Sequence, residues 1–203
     1  MSHKSLVSIA LLLGILAQGR AAEYFIRPIV SRVDPHVIAD SRATGLGFCA
    51  GIYWRNDQDN LEKEISVEFD RAKWSASVSD GFNLYNESET MMPIVLNLRV
   101  NVSPDSDLKR LRFYIGPCFG VARSTAKVHV TGGGEDLYSS DSDWDLAWGA
   151  TVGFLIRLTA KVDIDIGYRR LGASNTKFQL MDESIASGTN TLDGLYLGVG
   201  MGF

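Results

Sequence analysis

Along most of this 203-residue chain, bulky apolar residues alternate with small, polar or charged ones at a period of two. Successive residues of a strand point to opposite faces, so each such run predicts a strand with one oily and one bare or polar side. Eight runs follow one another. In residues 24–33, Tyr24, Ile26, Pro28 and Val30 share a face. In 45–55, Leu46, Phe48, Ala50, Ile52 and Trp54 lie opposite Gly47, Cys49, Gly51 and Tyr53. In 62–74, Ile65, Val67 and Phe69 oppose Glu64, Ser66, Glu68 and Asp70, and in 92–102, Ile94, Leu96, Leu98 and Val100 oppose Val95, Asn97, Arg99 and Asn101. Runs 111–127, 144–158 and 162–169 continue the pattern, and the last, 195–203, alternates Leu195, Leu197, Val199, Met201 and Phe203 with Tyr196 and three glycines.

A single alternating run is shared by any half-buried strand. Eight in succession, long enough for the roughly 9–11 residues that a tilted membrane strand needs, point to a closed barrel in a bilayer. The connections agree. Segments 34–44, 75–91, 128–143 and 172–190 are long, whereas 56–61, 103–110 and 159–161 are shorter. Short turns on one side and long loops on the other, with an even strand count, characterise outer-membrane barrels. The expected fold is therefore all-β, an eight-stranded antiparallel up-and-down transmembrane β-barrel. A soluble lipocalin-like barrel would carry the opposite faces, polar outside and apolar within.

The amino terminus changes the picture by adding a compartment. A short basic start with Lys4, a twelve-residue apolar core over 6–17, and small residues Gly19 and Ala21 flanking Arg20 predict a cleaved secretory signal over 1–21. A retained helix would need about 20 apolar residues. The barrel domain is then 22–203. Removing Lys4 and Arg20 with no acid takes the formal charge from −4 to −6, which argues against nucleic acid as a partner. Twenty glycines, seven tyrosines and four tryptophans suit strands with aromatic belts better than helices.

The stretches Met92-Pro-Ile-Val-Leu-Asn-Leu-Arg99, Tyr114-Ile-Gly-Pro-Cys-Phe-Gly-Val121 and Asp163-Ile-Asp-Ile-Gly-Tyr-Arg-Arg170, with the terminal Phe203, resemble the eight-stranded barrels of the opacity-protein and OmpA-like superfamily. The likeness spans essentially all of 22–203. It implies an integral outer-membrane protein of a Gram-negative bacterium, embedded in outer-membrane lipid and lipopolysaccharide, whose Phe203 is read by the barrel-assembly machinery. The chain stops at Phe203 without the wall-binding domain of full-length OmpA, so wall tethering is not expected.

The polar face carries Arg27, Arg99, Arg112, Arg157 and Arg169 against Glu64, Glu68, Asp70, Asp145, Asp163 and Asp165. An eight-stranded barrel holds little more than its own side chains, and buried charges must pair. A salt-bridged plug is the expected lumen, and a narrow small-solute pore kept open by inward glycines is the alternative. Cys49 and Cys118 fall on inward positions three strands apart, beyond the ~7 Å Cα limit of a disulfide, and are too dispersed for a zinc motif. No cofactor or metal is expected, since Gly132-Gly133-Gly134 lacks the lysine and following helix of a phosphate loop.

On the oily face, Arg71, Lys73, Arg123, Lys127 and His129 sit at the outer strand ends, where they would meet lipopolysaccharide phosphates or stand as solvated loop stems. Tyr24, Trp54, Phe113 and Phe203 at one rim, with Trp144 and Tyr168 at the other, predict two aromatic girdles. A lipid A hydrolase would need a nucleophile, a histidine and a carboxylate together. The nearest set is His129 and Thr131 with Glu135, Asp141 or Asp143, and a threonine stands where a serine is expected. The leading reading is non-enzymatic: a monomeric barrel with a structural role, an adhesion or recognition role, or both, exercised through its loops.

Overall fold

In the computed structural model, the described residues are 22–35, 43–55, 61–104, 110–132, 135–173, 177–180, 183–186 and 190–203. The expected signal segment lies outside them. Ten strands follow in order: β1 (Ala22–Pro35), β2 (Ala43–Arg55), β3 (Leu61–Ser79), β4 (Asn83–Val102), β5 (Leu111–Gly132), β6 (Glu135–Arg157), β7 (Val162–Ala173), β8 (Lys177–Leu180), β9 (Glu183–Ala186) and β10 (Asn190–Gly202). Eight of them close a barrel in the order β1-β10-β7-β6-β5-β4-β3-β2, each pairing antiparallel with its neighbours, and β8 pairs with β9 as a separate hairpin.

Alternation fixes which side faces out. Phe48, Ile115, Phe154, Leu195 and Val199 are exposed on the wall, while Arg27, Glu68 and Asp165 are buried inside. This is the arrangement required when hydrocarbon, rather than water, surrounds the barrel. No helix among the described residues is long and apolar enough to cross a membrane.

Strand length departs from the sequence expectation. Strands β1, β2, β7 and β10 have 14, 13, 12 and 13 residues, whereas β3, β4, β5 and β6 have 19, 20, 22 and 23. Segments 75–91 and 128–143, expected as loops, are largely paired strand. Ser79 still opposes Leu84, and Gly132 still opposes Glu135. The long connection 172–190 likewise contains the β8–β9 hairpin. Beyond the bilayer, β3–β6 thus continue as a four-stranded extracellular wing.

Candidate functional site: a charged lumen below an extracellular wing

The lumen is built in tiers. Nearest the periplasmic rim, Glu62 accepts from Arg112 at 2.6 Å, Arg157 at 3.4 Å and Asn101 at 3.1 Å. In the middle, Asp165 Oδ2 lies 2.8 Å from Arg27 Nη1 and 3.0 Å from Arg99 Nη1. Glu64 sits 3.6 and 3.3 Å from the same two guanidinium nitrogens, and Asp163 is 3.4 Å from Arg27 Nη2. Above them, Arg169 pairs with Glu68 and, at 2.6 Å, with Asp70; Asn97 donates to Glu68 at 3.1 Å and Ser31 to Asp70 at 3.2 Å. Burial of any one of these charges alone would be costly, and shared partners make the arrangement tolerable.

Aromatic rings fill the space between charges. Tyr114 donates to Asp165 at 2.6 Å and hydrogen-bonds to Tyr196, whose hydroxyl accepts from Arg99 at 3.1 Å. The Arg27 guanidinium lies 4.5 Å from the Phe25 ring centre, and that of Arg99 lies 4.7 Å from the Tyr114 ring, both within cation–π range. The inward glycines are sockets for these groups. A Cβ on Gly167 would collide with the Tyr114 hydroxyl and the Tyr196 ring, and one on Gly198 would stand 2.8 Å from the Arg27 chain. At Gly167 and Gly198 the space left by the missing side chain is therefore occupied rather than open. Over the charged tiers lies an apolar cap in which Val33, Trp74, Met91, Val95, Leu171 and Leu192 are buried together.

The wing sorts charge by face. Pairing carries the strand registers unbroken from Lys73↔Thr90, Thr90↔Thr125 and Thr125↔Ser142 upward. Glu87, Glu89, Asp141, Asp143 and Asp145 fall on the lumen-side face, and Arg71, Lys73, Arg123, Lys127 and His129 on the opposite one. At the β3–β4 tip, Asp80 Oδ1 accepts the amides of Phe82 (2.8 Å) and Asn83 (2.7 Å), and Gly81 supplies a φ of 92° that favours glycine. Those two amides, Asn83 first, hold the Asp80 carboxyl below its ordinary range. The turn leaves Phe82 88% exposed.

Of the residues singled out in the sequence, Arg27, Glu64, Glu68, Asp70, Arg99, Arg112, Arg157, Asp163, Asp165 and Arg169 meet in the lumen. Asp145 does not join them: it stands on the inner face of β6 opposite Ala122, a member of the apolar cap, with no ion pair among the described residues. Glu62, the carboxylate shared by Arg112 and Arg157, was missed, although its even position on β3 carried the signal. Tyr53, Tyr114, Tyr196 and the Trp74–Met91 cap were also not anticipated. Cys49 and Cys118 are buried and free.

Arg71, Lys73, Arg123 and Lys127 point outward and are exposed. Of the hydrolase set, His129 and Thr131 share the outer face, with Thr131 opposite Asp136. His129 pairs with Asp136, Asp141 and Asp143 lie on the opposite face, and the Glu135 side chain lies outside the described residues. Phe203 stacks 6.5 Å from Tyr24 at the periplasmic rim, and its amide donates to the Tyr24 carbonyl at 3.0 Å. Tyr24, Phe113, Trp144 and Tyr168 are exposed on the outer wall; Trp54 is partly covered.

A closed antiparallel barrel with an oily exterior and an ionic interior defines the class as a β-barrel membrane protein. The chain belongs to the outer membrane protein beta-barrel domain family, whose model matches residues 8–203, and it is an outer-membrane protein. Among solved structures it is similar to Ail, the attachment invasion locus protein of Yersinia pestis, crystallised with the heparin analogue sucrose octasulfate. Identity is 16%, covering 90% of this chain and 97% of Ail, with a TM-score of 0.52. It is also similar to Neisserial surface protein A (15% identity, 90% and 97% covered, TM-score 0.45) and to CarO2 of Acinetobacter baumannii (14%, 88% and 99%, 0.48). At these identities the likeness concerns fold alone. No curated protein matches the chain.

Proposed function

We propose that this protein is a non-conducting outer-membrane anchor that holds a preformed recognition surface above the bilayer, with Phe82 at its tip. The observation that carries the reading is the excess of strand in β3–β6, 19–23 residues where a membrane crossing takes about 9–11. Paired strand is a rigid mount, and rigidity lowers the ordering cost of binding. At the tips, Val78, Phe82, Leu84, Leu137 and Tyr138 are exposed. Exposed aromatic and aliphatic groups on a fixed turn are the kind of anchor that dominates protein–protein interfaces. Paired lumen charges and the cap over them favour a plug over a pore.

Two measurements test this reading. Refolded protein in planar bilayers is expected to give no conductance steps, and discrete steps would overturn the plug. Bacteria displaying the chain are expected to adhere to an epithelial monolayer, with Phe82→Ser reducing retention at equal surface level. Equal retention by the two would remove the tip from the account.

A further inference from the structure

The inner face of the wing specifies what kind of partner meets it, an inference that rests on the wing being a recognition surface. On β4, Glu87 and Glu89 belong to this face, and on β6, Asp141 and Asp143 do. Between these two columns β5 presents Ser124, Ala126, Val128 and Val130. Pairing fixes the rows: Glu89↔Ala126↔Asp141, with Met91↔Ser124↔Asp143 below and Glu87↔Val128↔Ser139 above. Neighbouring strands lie ~4.8 Å apart, so the acidic columns stand roughly 10 Å from each other across a floor of small side chains. The result is a trough with acidic walls that runs from the barrel mouth towards the tip. Among the described residues, no Lys or Arg occupies an inner-face position of β3–β6 above Ala72, whereas Lys73, Arg123 and Lys127 line the opposite face. Asp141 and Asp143 each accept the amide of the following residue at 2.8 Å, a contact that orients the carboxylate and leaves its charge in place.

Two buried polar groups at the foot of the trough point to its occupant. Ser124, 1% exposed between Met91 and Asp143, has an Oγ without a partner. Trp74, 3% exposed and opposite Glu89, has an Nε1–H without an acceptor. Groups left so are costly. A hydroxyl oxygen accepts from an ammonium, and an indole N–H donates to a carbonyl. A ligand that carries both cations and carbonyls suits the pair, which describes a peptide; a bare polyamine offers nothing to the indole. Burial also pushes the Glu89 carboxyl up to about 7, and a cation beside it favours the charged form.

We infer that this trough docks an extended basic segment of a partner protein, with lysine or arginine at alternate positions. Same-face residues of an extended chain are about 6.6–6.8 Å apart, the step that also separates Glu87 from Glu89 and Asp141 from Asp143. Alternate side chains of the segment therefore meet the acidic columns charge to charge, while their apolar stems lie over Ala126 and Val128.

The test uses the refolded full chain in micelles of a zwitterionic detergent, read by fluorescence anisotropy of a labelled peptide of four Lys-Thr repeats. Saturable binding is expected, weakened about tenfold by the double substitution Glu89→Gln and Asp141→Asn. Asp136→Asn with Asp193→Asn removes the same charge from the outer face and should leave binding unchanged. A peptide of four Lys-Thr-Thr repeats, equal in charge but out of step with the columns, should bind more weakly. Heat-modifiable gel migration confirms that each variant is folded. No binding, or equal binding by the Glu89/Asp141 variant, would overturn the site. Equal binding of the two peptides would overturn the extended alignment, and tighter binding of spermine than of either would point to a small polyamine instead. Phe82→Ser should leave peptide binding intact while reducing adhesion, so each proposal can fail without the other.

Discussion

Strands β3–β6 run through two regions with the same backbone and opposite rules. Within the bilayer, charge is confined to the inside, where Arg27, Arg99 and Arg169 each face at least two carboxylates. In the wing, charge is sorted by sign, with acids on the inner face beside Val128, Val130 and Leu137 and bases on the outer one. The same alternation thus yields an oily-versus-ionic contrast where the surroundings are hydrocarbon, and an acidic-versus-basic one where they are water. What a strand's two faces mean is set by the medium on each side, not by the period.

The sharpest way to break this contrast is to remove a shared cation. Arg99→Met leaves Glu64 and Asp165 with Arg27 as their remaining cation and takes one of two hydrogen-bond partners from the Tyr196 hydroxyl. We expect a loss of about 3–5 kcal/mol, read as a lower urea midpoint in micelles. Arg71→Met on the wing should change stability by no more than about 0.5 kcal/mol. Equal effects would mean that the lumen charges are not mutually dependent. Next in size, Gly167→Ala should cost about 1–3 kcal/mol through overpacking against Tyr114 and Tyr196. Combining it with Tyr114→Phe, which removes the obstructing hydroxyl, should recover part of that loss; a purely additive double variant would refute the socket.

At the tip, Phe82→Ser should leave the urea midpoint within about 0.5 kcal/mol. The smallest effect is one of pH. The Asp80 carboxyl is held down by the Asn83 and Phe82 amides, so its support of the turn is present above the ordinary carboxylate value, near 4, and is lost as pH falls through the lower folded value. Hydrogen exchange of the Phe82 and Asn83 amides should therefore lose protection on acidification while barrel amides keep theirs. Protection that does not change with pH would show that the carboxylate does not hold the turn.

The barrel was legible because hydrocarbon outside and charge inside print a strong period-two signal on each crossing. The wing was not, because its alternation is reversed: Ser75, Ser77, Lys127 and His129 face outward while Ala76, Val78, Val128 and Val130 take the inner side, so it does not continue the oily-outside pattern of the crossings. The charged positions of the lumen could be read from parity, yet their partners could not. Which carboxylate meets Arg99 depends on reach across the barrel, and Asp165 lies 66 residues away. The inward glycines pointed towards empty space only until Tyr114 and Tyr196, themselves on the polar face, were seen to occupy it.

The ionic interior also guards against misalignment. Barrel closure joins β1 to β10, whose pairs include Ile26↔Met201 and Ile29↔Gly198, with Pro28 between lacking an amide to donate. Sliding β1 by two residues would keep its greasy side towards lipid and so go undetected by hydrophobicity. It would also carry Arg27 about 6–7 Å along the strand, away from Asp165, Glu64 and Asp163. Long-range electrostatics thereby selects one alignment among several that oil alone would accept.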